Sequence, residues 1–550
     1  MKDPGSLLAD PNNTKPLGVF LAIFVLFQAF GFAQKGGNKQ RPNILFAISD
    51  DQSFAHTSFA GSAFVNTPAF DRVAGEGIYF TRCFAVSPGC APSRSAIVTG
   101  RYPWQNEQSG QHASAWLKKY IPFIDMFKEA GYATGRTGKG VGPFHLAQSN
   151  RDSLFRDTDP AGPEYSRITY KKNKAKPKGY TGAMSKTDYF SNFRYFMEKV
   201  KGDHPFFFWY GGREPHRGYK KGSWKSMGKQ LKDVEVPGFL PDNDVIRGDL
   251  LDYAVEIEWF DHHLEKMLRY LEQIGELENT IVIVTSDNGM PFPRAKANTY
   301  EYGIHVPMAI RYPKEFLEGK VIKNAISHLG IAPTLMEIAG INPKGMMPIS
   351  GQSFLNQIVA KKAHSERIPE TYTYSGRERH SSSRYQNYGY PQRSVQNNAY
   401  IYIWNMKPQR WPAGAPQRYD SKNNSQLLPI NGINADGKYI GSMAAFTDID
   451  DSPSKQYLLE NAGTAATKSY YHLAVAKRPE FELYAHKTDP YCLENLAGNP
   501  KFSKVENELK SLLLKKLEAT DDPRMVGPNK EIFETYTRYS PIRKFPKPSN

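Results

Sequence analysis

Two apolar runs far apart in the chain end in the same way, and no other feature limits the possible folds as much. Ile44-Leu45-Phe46-Ala47-Ile48 runs into Ser49-Asp50-Asp51, and Thr280-Ile281-Val282-Ile283-Val284-Thr285 runs into Ser286-Asp287-Asn288-Gly289. A continuous apolar stretch of strand length, with no polar alternation, is what a strand covered on both faces requires, so a parallel sheet flanked by helices is predicted. Open α/β sheets of that kind place their ligands beyond the carboxyl ends of the strands. Asp50, Asp51, Asp287 and Asn288 would then form an all-oxygen set at one sheet edge, suited to Ca²⁺ ahead of Mg²⁺. Taken singly, each acidic end is also an ordinary solvated turn.

The intervening sequence alternates between helical and strand patterns. Helices are predicted over 68–77, 121–130 and 249–277, the last with Leu250, Tyr253, Ala254, Ile257, Phe260, Leu264, Leu268 and Leu271 on one face. Strands are predicted over 132–137 and 205–210. The expected architecture is an α/β sandwich around a mostly parallel sheet, with a catalytic domain over 41–370. From about Thr371 the chain turns Tyr-, Arg- and Asn-rich, with short strands such as 399–404 and a closing helix near 505–517. That texture predicts a smaller C-terminal subdomain over 371–520 with an antiparallel sheet, followed by a Pro- and Lys-rich tail over 521–550 that wraps or dangles. At the other end, 17–27 is apolar but too short to span a bilayer and is followed by small residues at Gly31 and Ala33. It reads as a signal peptide over 1–33, with a polar linker over 34–40, and so predicts a secreted or periplasmic protein with no stable membrane insertion after cleavage.

The net charge of +16 favours polyanionic partners. Nucleic acid is the usual candidate for such a charge, but no zinc-finger, RNA-binding or helix-turn-helix signature accompanies it, and a sulfated polysaccharide fits the charge equally well. Cys83, Cys90 and Cys492 are the only cysteines among 550 residues, too few for a disulfide framework.

One of the three lies in Ser87-Pro88-Gly89-Cys90-Ala91-Pro92-Ser93-Arg94-Ser95-Ala96-Ile97-Val98-Thr99-Gly100. This stretch resembles the signature C-x-P-S-R-x-x-x-x-T-G of the type I sulfatases, members of the alkaline-phosphatase-like superfamily. The likeness extends from Pro42 to about Ala497. It is similar to the sulfamidase, or heparan N-sulfatase, branch in Ser286-Asp287-Asn288-Gly289-Met290-Pro291-Phe292-Pro293 and in Tyr390-Pro391-Gln392-Arg393-Ser394-Val395-Gln396. The phrases Glu482-Leu483-Tyr484, Asp489-Pro490 and Asn495-Leu496-Ala497 match its closing pattern.

The resemblance implies that Cys90 is oxidised to formylglycine (3-oxoalanine) by a formylglycine-generating or anaerobic sulfatase-maturating enzyme. It implies a metal site of Asp50, Asp51, Asp287 and Asn288 completed by the modified Cys90. Arg94 would hold the formylglycine, Lys139 and Lys296 would meet the sulfate, and His216 would protonate the leaving group. At Val141 many relatives carry a histidine, and His145 is the candidate replacement; at Gly330 many carry aspartate. Arg377, Arg379 and His380 lie in the segment that approaches the sugar in this family. Arg213, Arg217, Arg294 and Arg393 adjoin the matched motifs. The implied reaction is hydrolysis of sulfate groups from a polysaccharide or its oligosaccharides, an algal glycan such as ulvan or a glycosaminoglycan. Sulfamidase chemistry on N-sulfoglucosamine and a phosphatase or phosphonate hydrolase are the alternatives.

Overall fold

The computed structural model describes residues 41–146, 154–170, 179–180, 183–359 and 371–548; the expected leader, linker and the boundary at 370/371 fall outside these. The first strand, β1 (Asn43–Ser49), is the hub. With β2 (Ile78–Phe80), β3 (Ala133–Gly138), β4 (Phe206–Gly211), β5 (Thr280–Ser286), β6 (Met308–Arg311) and β7 (Lys320–Ile322) it forms a seven-stranded sheet ordered β3-β4-β1-β5-β6-β2-β7. Four neighbours, β3, β4, β1 and β5, run parallel, whereas β6 runs against both β5 and β2.

Alternation along β1 explains its unbroken apolar sequence. Ile44, Phe46 and Ile48 pack on one face with Ile97, Val98, Phe123 and Phe127. Leu45 and Ala47 pack on the other with Phe193, Phe196, Phe260 and Leu264. Successive side chains of a strand point to opposite faces, and here both faces are covered by helices. β1 and β5 pair in step from Asn43 with Thr280 to Ser49 with Ser286. Their acidic sequels therefore emerge side by side.

The long helix covers Asp244–Gln273 rather than starting at Asp249, because the Asn243 side chain accepts hydrogen bonds from the Val245 and Ile246 N–H groups and caps it earlier. Its expected apolar face is buried throughout. A second sheet, β8 (Thr373–Arg377), β9 (Gln392–Gln396), β10 (Tyr400–Asn405) and β11 (Phe481–Ala485), is wholly antiparallel. The helix Ser503–Ala519 covers it through Leu509, Leu513 and Leu517.

The segment after Asp521 packs rather than dangles. Asp522, fully buried, accepts from Arg393 Nε at 2.5 Å, while Arg393 and Arg524 also reach Glu378 at 2.7 and 2.6 Å. Removing one partner of a buried ion pair strands the other charge. Asp522→Ala is accordingly expected to cost ~3–5 kcal/mol of stability in a denaturant titration.

Candidate active site

Three strand ends converge on one arginine. The helix Cys90–Thr99 is buried along its whole length and ends at Gly100 with φ +64°. From its first turns Arg94, fully buried, donates Nε to Asp287 Oδ2 at 2.6 Å and its terminal nitrogens to the carbonyls of Ser49, Lys139 and Gly140. It thereby joins the ends of β1, β5 and β3. Ser93 Oγ adds a bond to the Asp287 carbonyl at 2.5 Å. All the hydrogen bonds of the guanidinium among the described residues go to these strand ends.

Two glycines aim Lys139. Gly138 has φ +75°, and a Cβ there would lie 2.1 Å from the Gly211 carbonyl oxygen; one on Gly211 would lie 1.8 Å from that of Lys139. Only glycine fits such an approach. Lys139 Nζ then meets Asp50 Oδ2 at 2.6 Å. Lys296 comes from a contorted loop, with Arg294 at φ +67° and Ala297 at φ +63°, and the Ala297 N–H bonds the Pro88 carbonyl two residues before Cys90. Its Nζ meets Asp51 Oδ2 at 2.6 Å and Asp450 Oδ2 at 3.0 Å. His216, with its side chain 40 % exposed at the mouth, stands 3.9 Å from Asp51 Oδ2.

The acids fit a hard cation. Carboxylate oxygens of Asp50, Asp51 and Asp287 lie within 4.8 Å of one another. Asn288 donates its side-chain amide to Asp51 Oδ1 at 2.8 Å, and its side-chain oxygen Oδ1, like Asp50 Oδ1, is buried with no hydrogen-bond partner among the described residues. Such orphaned buried acceptors carry a desolvation cost that an oxygen-seeking ion would offset. Asp51 itself sits at φ +76°, a strained backbone of the kind found at functional sites. Burial pushes the Asp287 carboxyl up to about 6 against the pull of Arg94, whereas the cations around Asp50, Lys139 foremost, outweigh its burial and draw it below the usual range.

Cys90 is 2 % exposed, and the charges it feels are those of Lys139, Asp50, Lys296 and Asp287. Burial raises its pKa, so an unmodified thiol here would be a poor nucleophile. A cavity of about 560 Å³ opens beside the cluster, lined by Asp50, Lys139, Arg213, Glu214, His216 and Glu256 among others.

The sulfatase family model matches residues 42–341, more than half of the chain and all of the residues just described except Asp450. The chain belongs to the sulfatase family, whose members are sulfuric ester hydrolases. A second model, for the C-terminal part of N-sulphoglucosamine sulphohydrolase, matches residues 295–403. An ulvan-active sulfatase of Formosa agariphila is 26 % identical, over 88 % of this chain and 76 % of its own. Human N-sulphoglucosamine sulphohydrolase is also 26 % identical, over 89 % and 93 %. Solved structures share the fold: one in complex with its substrate D-glucosamine-2-N,6-O-disulfate has a TM-score of 0.58 at 18 % identity and covers 88 % of this chain and 99 % of its own. The phosphonate monoester hydrolase of Agrobacterium radiobacter has a TM-score of 0.60 at 15 % identity, over 87 % and 96 %.

In this sulfatase the expected residues do not all meet. His145 is corrected: its ring stacks on Tyr539 at 4.1 Å and does not line the cavity, while Val141 is buried in the core. Arg377 and Arg379 are corrected as sugar contacts. Arg377 is 3 % exposed and donates to Asp448 at 2.7 Å; Arg379 donates to Ser114 Oγ at 2.7 Å and the Tyr536 carbonyl at 2.8 Å. His380 does stand at the site, its Nδ1 3.1 Å from where a Cβ on Gly89 would lie. Arg217 pairs with Asp249, Arg294 with the carbonyls of Leu473 and Cys492, and Arg393 with Asp522; Arg213 lines the cavity and is exposed. Two residues at the site escaped the sequence reading. Asp450 comes from a segment with no motif, and His112 lies 5.5 Å from His380, ring to ring. Burial, with His380, Arg538, Lys139 and Lys296 nearby, holds His112 well below the ordinary imidazole pKa.

Proposed function

We propose that the chain is an exported sulfatase that hydrolyses sulfate groups from a sulfated polysaccharide or its oligosaccharides, using Cys90 in its formylglycine form beside a bound Ca²⁺. The observation that carries this reading is the confluence at Cys90 of three carboxylates, each paired to a different cation, with two orphaned acceptor oxygens between them. Asp50, Asp51, Asp287 and Asn288 would hold the ion, which when bound supplies fixed positive charge and polarises the attacking hydroxyl and a sulfate oxygen.

The remaining work falls to side chains. Lys139 and Lys296 face the place where charge develops on the sulfate, and their ammonium groups are already oriented by Asp50 and Asp51, so they need no reorganisation during reaction. The N-terminus of the helix Cys90–Thr99 adds its partial positive charge in the same direction. Asp287 is the carboxylate assigned here to accept a proton from the attacking hydroxyl. His216, exposed beside Asp51 and on the cavity wall, is placed to hand a proton to the departing oxygen or nitrogen. Arg94 holds the strand ends in register with Cys90. The strongly polar lining of the cavity suits a sugar better than an apolar ligand, and exposed Arg213 would meet a uronate or a further sulfate group.

The test is release of free sulfate from a panel comprising ulvan oligosaccharides, glucosamine N-sulfate, glucosamine 6-O-sulfate and N-acetylgalactosamine 6-O-sulfate, with protein whose residue 90 is verified as the aldehyde by peptide mass. Turnover of at least one is expected. Silence on all of them, or faster cleavage of phosphate or phosphonate esters, would remove the proposal. Within the panel His216→Ala is expected to lower kcat by ~10²–10⁴-fold, the range of a lost general acid, with a smaller change for esters whose leaving group needs no proton.

A further inference from the structure

We infer that Asp450 sets the charge this site accepts, selecting a singly charged ester over a doubly charged one. Each cation of the centre has a carboxylate at 2.6 Å: Arg94 with Asp287, Lys139 with Asp50, Lys296 with Asp51. Asp450 is a fourth acid with no cation of its own, sharing Lys296 at 3.0 Å. Its carboxylate and those of the centre outnumber the Arg and Lys charges by one. It lies in the thick of the site, with an oxygen within 4.8 Å of ligand atoms of both Asp51 and His216, and His380 is close enough to feel its charge.

The segment is built to present it. Two residues earlier, Asp448 is fully committed, accepting from Arg377 and Arg384 at 2.7 and 2.6 Å and from Ser383 Oγ at 2.8 Å. The two buried arginines thus act as positioning residues that anchor the turn. Asp450 then projects towards the mouth with its side chain 25 % exposed, Oδ2 fixed on Lys296 and Oδ1 without a hydrogen bond among the described residues. A carboxylate so placed is a burden on anion binding, and the burden scales with the anion's charge. With a divalent ion on Asp50, Asp51, Asp287 and Asn288, the ion, the three cations Arg94, Lys139 and Lys296 and the four aspartates Asp50, Asp51, Asp287 and Asp450 together carry one positive charge. That balances a sulfate ester or a phosphonate monoester, each a monoanion, and leaves the second charge of a phosphate monoester unmatched. Repulsion of the wrong ligand is as much a part of specificity as attraction of the right one.

The inference rests on the sulfatase reading, and its test separates the two. Methyl sulfate and methyl phosphate are titrated calorimetrically, near pH 8 where the phosphate ester is a dianion, into wild-type protein and Asp450→Asn. Asparagine keeps the shape and an acceptor for Lys296 while removing the charge. The wild type is expected to favour methyl sulfate, and the variant to narrow that preference by about 10-fold. The same narrowing is expected in kcat/KM for para-nitrophenyl sulfate against para-nitrophenyl phosphate, and in binding to Asp450→Ser should the first variant fold poorly. Equal changes for both ligands would assign Asp450 to positioning Lys296 alone and overturn the inference, as would no change for either. Failure of the sulfatase reading would appear instead as absence of sulfate release from any ester, and the binding ratio would still stand as a result.

Discussion

Replacing Cys90 with alanine is expected to reduce sulfate release by at least ~10⁴-fold, the scale on which loss of a covalent nucleophile is felt, while the melting temperature changes by no more than a few degrees. The side chain is small and buried, and alanine keeps its β-carbon, so the packing of the helix Cys90–Thr99 survives. Chemistry does not survive, because alanine has no heteroatom on its β-carbon to be oxidised to the proposed aldehyde, and the second hydroxyl of that aldehyde's hydrate is what would expel the sulfate once it has been transferred. A serine at this position that is left unoxidised is expected to stop after at most one turnover. Circular dichroism together with a sulfate-release assay reads both halves of the prediction. Retained multiple turnover in Cys90→Ala would show that the reaction does not pass through this residue.

Removal of the proposed divalent ion is expected to give the second large effect. Chelation is expected to lower activity by at least ~10³-fold, in the range attributed to fixed charge at a developing oxyanion, and to lower thermal stability as well. Occupied at a thousand times its dissociation constant, an ion that binds only the folded state contributes ~4 kcal/mol. Without it, Asp50 Oδ1 and Asn288 Oδ1 are buried acceptors with nothing to accept. The fold itself should persist, since Arg94, Lys139 and Lys296 neutralise the three carboxylates one for one. Calcium should restore both properties, and magnesium less fully, because oxygens presented by loop residues suit the larger and less demanding ion. A melting temperature independent of added calcium would contradict the assigned site.

Some of these groups could be read from the sequence and others could not, for identifiable reasons. Asp50, Asp51, Asp287 and Asn288 were legible because each follows a fully buried strand, and burial on both faces leaves an unmistakable apolar run. Lys139, His216 and Lys296 were legible through short motifs beside such strands. His145 misled because its distance along the chain from Lys139 says nothing about direction; the backbone there pairs with residues 114–116 and carries the ring to Tyr539. Arg377 and Arg379 misled because the resemblance places their segment near the sugar but not the direction of each side chain; here one is absorbed by Asp448 and the other by Ser114 and a carbonyl.

What the linear sequence determined was the α/β architecture, the mostly parallel sheet, and which strand ends carry acids, since these follow from local hydrophobic pattern and motif. What only the tertiary structure decided was which distant segments close over those ends. Asp450 and His112 arrive from loops whose positions depend on long-range packing and buried ion pairs, and no periodicity of 2 or 3.6 records where such a loop will lie. The charge of the finished site is therefore a property of the fold, assembled from segments that lie far apart along the chain.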